Sequence, residues 1–203
     1  MKVFLIIFSI VFGTAVQNSV QAAAAVADEQ AVIDEVRQML IDRDQEIKAL
    51  LGPEDSEHSE AQRDELMEII NQIIDYRAMA RHALQDTWDT LSDDQKDEFV
   101  DVFARVIRDQ SLNSLEIYRA EVTYESFDVD GRFVTAHTIA ILDNVRTPVI
   151  YEMENRDGEW FVIDMSVDNV STADSYRRSF QRIIQRRGFD ALMDNLRRRA
   201  GVS

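Results

Sequence analysis

The chain has 203 residues, of which 38 are acidic and 22 basic, so its formal net charge is −16 at pH 7. Nucleic acid and anionic lipid repel a surface this acidic, which makes both unfavourable resting partners. The chain has no cysteine, which excludes a disulfide scaffold, but it is long enough to bury the core of one domain.

The first 22 residues have the features of an export signal. Met1-Lys2 is a short positive start, residues 3–12 are apolar, and residues 20–22 form a small-x-small cleavage site. The apolar run is too short to remain in a bilayer as an anchor. We therefore predict cleavage near Ala22, a single mature domain over residues 23–203, and a location outside the cytoplasm. Loss of Lys2 leaves the mature domain with a net charge of −17.

Apolar side chains at helical spacing predict four helices at the start of the mature domain. The first spans residues 28–51. Asp75 separates the second from the third and can cap the third. Ser92 and Gln95 form a capping box at the start of a long fourth helix. Together these helices make up a helical part that we assign to residues 28–118.

The apolar spacing then changes from 3.6 residues to two, which predicts a sheet within residues 119–170. Asp-Gly and Asp-Asn pairs mark tight turns between consecutive strands, so the sheet is expected to be an antiparallel meander. The four predicted strands are approximately residues 121–129, 132–142, 147–155 and 159–167.

The fourth predicted strand is apolar on both faces. Strict alternation assigns its apolar residues to two sets, with Phe161, Ile163, Met165 and Val167 on one face and Trp160 and Val162 on the other. Two apolar faces require cover on both sides, from helices or from something that the protein carries.

Two closing helices are predicted within residues 171–200. The first spans residues 172–187, with Ser171 or Thr172 as its cap, and the second spans residues 190–199. Helices, then a meander, then helices again indicate an α+β fold. The expected architecture is a curved four-stranded antiparallel sheet, cone-shaped and NTF2-like. N-terminal helices pack on the sheet, and the C-terminal helices help to enclose an apolar cavity.

The residue types that carry chemistry form no convincing catalytic or cofactor site. All six glycines suit turns, helix ends or the termini (Gly188, for example, ends a helix as an αL cap would), so none remains for a phosphate-binding loop. The three histidines lack metal-ligand spacing, so we expect no metal and no cofactor. His137 and Asp164 are the best acid–base candidates, because both can point into the hollow of the sheet. Polar residues that only form structural hydrogen bonds at the rim of a sheet would give the same sequence pattern.

The C-terminal part reverses the charge of the chain. From Asp174 onward there are eight arginines and three aspartates, a net charge of +5. These arginines can contact phosphate head groups or a partner, and Arg186 and Arg187 also suit the negative end of a helix.

Several segments resemble one family, the periplasmic phospholipid-binding proteins of the MlaC type, also called toluene-tolerance auxiliary proteins. They occur in the order found in the family and together extend over nearly the whole mature domain. The matching segments are residues 73–84, 91–107, 147–171 and 176–196.

The resemblance implies a monomeric, non-enzymatic carrier of phospholipid in the periplasm. Such a carrier exchanges lipid with an outer-membrane lipoprotein complex and with an inner-membrane ABC transporter that has an MCE-domain subunit. It thereby maintains the lipid asymmetry of the outer membrane. The energetics agree, because exposing the roughly 30 methylenes of two acyl chains to water would cost on the order of 24 kcal/mol.

The resemblance also implies a lipid cavity, for which we select nine wall residues: Phe103, Ile107, Val149, Tyr151, Met153, Trp160, Val162, Tyr176 and Phe180. Three alternatives stay open. The protein could carry another envelope lipid, such as a hopanoid or a fatty acid. It could be a small cone-shaped α+β enzyme that uses His137 or Asp164. It could also be an adaptor without a ligand, whose apolar faces are all used internally.

Overall fold

The computed structural model describes three stretches of the chain, residues 14–53, 58–112 and 115–202. The predicted export signal, residues 1–22, lies outside the described side chains, which begin at residue 26. Within the described stretches, no helix is long and apolar enough to cross a membrane.

Seven α-helices and one 3₁₀ helix are present in these stretches, and they include every predicted helix. The short helix α4 was not predicted, and the capping box of Ser92 and Gln95 starts α5 as expected. The helices are α1 Thr14–Leu51, α2 Glu60–Asn71, α3 Tyr76–Leu84, α4 Asp86–Thr90, α5 Asp93–Leu112, the 3₁₀ helix Leu115–Arg119, α6 Thr172–Arg187 and α7 Phe189–Arg199.

Side-chain caps set the starts of α3 and α6. The backbone N–H of Ala78 donates to Asp75 Oδ1 at 2.8 Å, which confirms the predicted cap of α3. Ser171 rather than Thr172 caps α6, because its Oγ accepts from the backbone N–H of Asp174 at 2.9 Å. Each cap satisfies a helix N–H that has no partner within the helix.

Gly188 separates α6 from α7 in a conformation that strongly favours glycine. Its φ is 82° and its ψ is 173°, so the αL cap expected from the sequence is wrong. The backbone turns out of the helix in the extended region of positive φ, which is essentially restricted to glycine. A Cβ at this position would meet no atom within 4 Å, so the cost of a side chain is torsional rather than steric crowding by neighbours.

Gly188→Ala is expected to lower the free energy of unfolding by about 1–3 kcal/mol, because alanine must adopt this unfavourable region. Urea denaturation followed by circular dichroism measures the change. The control Ser179→Ala, at an exposed position of α6, should shift the free energy by less than about 0.5 kcal/mol. Equal urea midpoints for Gly188→Ala and the control would contradict the glycine-specific conformation assigned to residue 188.

The sheet has five antiparallel strands in the order β1-β2-β3-β4-β5. They are β1 Glu121–Asp130, β2 Phe133–Leu142, β3 Val145–Arg156, β4 Glu159–Val167 and β5 Val170–Ser171. The predicted α+β class is confirmed, but the four-stranded NTF2-like cone is wrong, since the sheet is an open five-stranded meander. Asp168 and Asn169 have φ of 50° and 61°. Two positive φ values in succession make a tight hairpin turn, which folds β5 back onto β4.

A β-bulge gives β4 one apolar face instead of two. Glu152 of β3 pairs with Asp164 of β4. The next residue, Met153, pairs with Val162, so Ile163 is left between the two pairs. This extra residue reverses the alternation along the strand, and the predicted division into two apolar sets is wrong. The residues of β4 that share one face are Trp160, Val162, Met165 and Val167.

The strand register continues this face across the whole sheet, because directly paired residues point the same way. We call it the apolar face. Besides the four residues of β4 and Val170 of β5, it comprises Val122, Tyr124, Phe127, Val129, Val134, Ala136, Thr138, Ala140, Leu142, Val145, Thr147, Val149, Tyr151 and Met153.

Buried apolar residues form three separate clusters in the described part of the chain. The helical cluster joins α3, α5, α6 and α7 around Phe99 and Phe103. The sheet cluster packs α1, through Val36, against one end of the apolar face. The third cluster joins the end of α1 to α2 through Leu51 and Leu66. Most domains have one contiguous core. We call the region where the helical and sheet clusters meet the interior junction, and Ile74, which packs against both, lies in it.

Candidate ligand-binding site

One end of the apolar face is left uncovered by α1. We call it the open end. Its residues belong to none of the three clusters, and Val145, Val167 and Val170 have relative exposures of 63%, 42% and 54%. A grouped, exposed apolar surface marks a site that binds something. The open end consists of Val122, Ala140, Leu142, Val145, Val149, Val167 and Val170, of which Val149 is buried and Val122, Ala140 and Leu142 are half-buried.

Four tyrosines are distributed among the three clusters and the apolar face. Tyr76 belongs to the helical cluster, and Tyr118 packs against the third cluster. Tyr124 and Tyr151 lie on the apolar face and pack against the sheet cluster. Tyr118 interacts electrostatically with both Tyr76 and Tyr151. Tyr118 is therefore close enough to Tyr76 and to Tyr151 for their charges to interact.

Removal from water raises the pKa of three of these tyrosines. Burial raises the pKa of Tyr76 to about 12, against a smaller opposing effect of the Arg108 guanidinium. It also raises the pKa of Tyr124 to about 12, with a further contribution from the Asp44 carboxylate. The pKa of Tyr151 rises further still, and burial is again the main cause. The shifts agree with phenol groups that lie largely out of contact with water.

Native protein is therefore expected to ionise fewer tyrosines than unfolded protein between pH 10 and pH 12. The native state keeps protons that the unfolded state releases, so stability falls as the pH rises through this window. The ultraviolet absorbance of tyrosinate, titrated in buffer and in concentrated urea, measures the difference. Tyr151→Phe should remove one late-ionising group. Coincident titration curves in buffer and in urea would contradict the burial.

The nine predicted wall residues fall into two groups. The strand residues share the apolar face, and Val149 is the member that lies in the open end. The helix residues belong to the helical cluster or pack against it. There the ring of Phe103 lies 4.8 Å from that of Tyr176 and 5.4 Å from that of Phe180, between centroids. The first group is Val149, Tyr151, Met153, Trp160 and Val162, and the second is Phe103, Ile107, Tyr176 and Phe180. Their role as cavity walls stays a prediction.

Most of the open end was not selected as wall residues from the sequence. Val145, Val167 and Val170 are single apolar residues beside turns, where exposure is unremarkable. The signal that could have identified them is the Asp168-Asn169 pair, the same dipeptide type that marks the turn at Asp143-Asn144. It would have placed Val170 beside Val167.

The two acid–base candidates are not joined in one site. They lie on the face opposite the apolar face, on β2 and β4, with β3 between them. His137 Nε2 lies 2.9 Å from Asp128 Oδ2. Asp164 is buried, and its carboxylate accepts hydrogen bonds from Ser171 Oγ and from the backbone N–H of Ala173 at 2.9 Å. Asp164 therefore fixes the corner between β4 and α6. No group of three or more potential metal ligands occurs among the described residues.

Two surface cavities lie away from the apolar face, and none of the nine predicted residues lines either. The larger, of about 690 Å³, lies among α3, the start of α5 and the β2–β3 pair, and Arg81 and Arg156 are among its lining residues. The smaller, of about 350 Å³, opens between α2 and α5, and we call it the α2–α5 cavity. Its lining residues are Asp64, Met67, Glu68, Asn71, Gln72 and Arg108.

Helices around an open antiparallel sheet, with one apolar sheet face left partly uncovered, define an α+β domain suited to an apolar ligand. The sequence matches the family model described as MlaC protein over residues 42–198. Because this match includes most of the chain, the chain belongs to the MlaC family. The family resemblance seen in the sequence is thereby confirmed.

Seven chains of solved structures match this fold. One is a phospholipid-binding protein from Ralstonia solanacearum, solved in complex with a phospholipid. It shares 19% identity with this chain and a TM-score of 0.69, and the match covers 82% of this chain and 94% of that chain. At this identity the likeness establishes the fold alone. No curated protein matches the sequence.

Proposed function

We propose that the protein is a phospholipid carrier whose acyl-chain site comprises the open end of the apolar face and the adjoining interior junction. The observation that carries this proposal is the set of seven apolar residues that belong to none of the three clusters. Membership of the MlaC family supports it, as does the shared fold with a protein solved in complex with a phospholipid.

The energetics explain why a carrier is needed. The roughly 30 methylenes of a diacyl phospholipid would cost on the order of 24 kcal/mol if they were exposed to water, so spontaneous transfer between membranes is negligible. An apolar site on a protein replaces the bilayer at nearly equal free energy. The free energy of transfer from membrane to carrier is then close to zero, and the partners rather than the carrier set the direction of transfer.

The full proposal places the mature protein in the periplasm after cleavage near Ala22. There it acts as a monomer between an outer-membrane lipoprotein complex and an inner-membrane ABC transporter with an MCE-domain subunit, and it maintains outer-membrane lipid asymmetry. The signal-like start of the chain supports the location. The family supports the partners and the absence of enzymatic activity.

Lipid extraction from vesicles tests the proposal. The mature protein, freed of lipid, is mixed with vesicles that contain a self-quenched fluorescent phospholipid. Fluorescence should rise and saturate with protein, because extracted lipid is no longer quenched. If the protein extracts no phospholipid but does extract a fluorescent fatty acid or hopanoid, its cargo is that other lipid. No extraction of any lipid would refute the carrier function.

A further inference from the structure

Two tyrosines border the open end, and the strand register fixes their positions. Tyr124 of β1 pairs with Thr138, which pairs with Val149 of the open end. Tyr151 of β3 is two residues from Val149 on the same face, so its Cα lies about 7 Å further along the strand. Both tyrosines also pack against the sheet cluster, so they lie where the open end meets it.

Neither tyrosine hydroxyl has a hydrogen-bond partner among the described residues. Both side chains are only half-buried, although Tyr151 belongs to the central strand of the sheet. Trp160 Nε1 is the one buried side-chain polar atom without a partner in the described stretches. The oxygens of Tyr124 and Tyr151 are therefore not sealed inside the protein. They are two free hydrogen-bond donors on an otherwise apolar surface.

These two hydroxyls keep their protons at physiological pH. Burial raises the pKa of Tyr124 to about 12 and raises that of Tyr151 further. Acyl chains that cover the open end would exclude water from both hydroxyls. A donor that loses water without gaining an acceptor destabilises the complex. A ligand that fits this surface must therefore bring its own hydrogen-bond acceptors.

The surroundings of the two hydroxyls favour a neutral acceptor over an anion. None of the described residues that make up the apolar face is charged. The Asp44 carboxylate of α1 contributes to the raised pKa of both tyrosines, and its own cation, Lys48 Nζ, lies at 2.7 Å. Arg37, which stacks on the Phe127 ring of this face, also has a carboxylate at 3.7 Å. A phosphate here would lose its hydration without an unpaired cation to replace it, whereas an ester carbonyl is neutral.

We propose that the hydroxyls of Tyr124 and Tyr151 donate hydrogen bonds to the ester carbonyls of a bound diacyl lipid. Ester carbonyls are the acceptors closest to the acyl chains in such a lipid, so they reach the apolar face together with the chains. A diacyl lipid has two of them, which matches the two free donors. This inference rests on the proposed carrier function, and it adds a selectivity for ester-linked over ether-linked chains.

Competition between an ester lipid and an ether lipid tests this selectivity. The mature protein is mixed with vesicles that contain equal amounts of diacyl phosphatidylcholine and its dialkyl analogue, which has the same chain length and headgroup but no carbonyl. Mass spectrometry of the extracted lipid gives the ratio of the two. The wild type should favour the diacyl lipid about tenfold, the effect of two neutral hydrogen bonds. Tyr124→Phe and Tyr151→Phe should each lower the ratio about threefold, and the double variant should bring it close to one.

Tyr76→Phe is the matched control. It removes the same atom from a tyrosine whose hydroxyl already donates to Asn71 Oδ1. The variant can lose stability, but a loss of folded protein lowers extraction of both lipids alike. The ratio should therefore stay at the wild-type value. A second readout is the infrared carbonyl band of ¹³C-labelled ester lipid, which should lie at lower frequency in the wild type than in Tyr151→Phe.

Two results would overturn the assignment of the hydroxyls. One is a wild-type protein that extracts the diacyl and dialkyl lipids equally. The other is a double variant that keeps the wild-type ratio, which includes the case where both lipids are extracted less because the tyrosines only support the fold. If the wild type extracts neither lipid, the proposed carrier function itself fails, which is a distinct result.

Discussion

Val167→Glu is expected to lower phospholipid occupancy at least about tenfold while the fold is retained. Val167 lies in the open end of the apolar face, opposite Val170 and next to Val149. A carboxylate there must lose water when acyl chains cover it, at a cost of several kcal/mol, and each 1.4 kcal/mol corresponds to about a factor of ten in affinity. Lipid phosphorus per mole of purified protein measures the occupancy.

The fold tolerates this change because Val167 is 42% exposed. Its free energy of unfolding should move by no more than about 1 kcal/mol, the span of strand propensities. Val26→Glu is the matched control. It makes the same change at a residue of α1 that is 66% exposed and lies outside the apolar face, and it should keep wild-type occupancy. Equal lipid content in the two variants would show that the open end is not part of the binding site.

Asp164→Ala is expected to lower the free energy of unfolding by about 3 kcal/mol. The buried carboxylate of Asp164 accepts backbone hydrogen bonds from Met165 at 2.8 Å and from Ala173 at 2.9 Å, and a third bond from Ser171 Oγ. Alanine leaves the N–H of Ala173 without an acceptor in a buried position, which alone costs about 1–3 kcal/mol. Urea denaturation followed by circular dichroism gives the change.

Asp164→Asn separates the hydrogen bonds from the charge. Its side-chain carbonyl can still accept the two backbone bonds, so the loss should be only about 1 kcal/mol. Because the same corner holds Val170 beside Val167, Asp164→Ala should also reduce lipid extraction. A stability equal to that of the wild type in Asp164→Ala would show that the carboxylate does not secure this corner.

A hydrolytic or isomerase activity lost in Asp164→Ala and His137→Ala, with lipid binding intact, would favour an enzyme.

The helices and the main strands could be predicted because their signals are local. Apolar stripes at helical spacing and caps such as Asp75 lie within a few residues of the element that they define. The bulge at Ile163 was not predictable from the same pattern. Apolar residues occupy every position from Trp160 to Ile163, so alternation gave no sign of the extra residue. The position of such a bulge depends on the register with the neighbouring strand, which is a long-range property.

The division between core and binding surface was the hardest feature to predict. Phe103 and Phe180 are apolar residues on the inward stripes of their helices, and the structure packs them against each other. A cavity wall has the same composition and the same spacing as a core. What separates the two is whether another element covers the residue. Val167 and Val170, on either side of the turn into β5, are left exposed.

Native mass spectrometry of the mature protein, purified without detergent, tests the central claim most directly. The carrier account predicts a protein mass increased by that of a diacyl phospholipid, and collisional activation should release the lipid. Val167→Glu, purified in parallel, should be mostly free of lipid. A wild-type protein that shows only its own mass, or that carries a ligand other than phospholipid, would contradict the account.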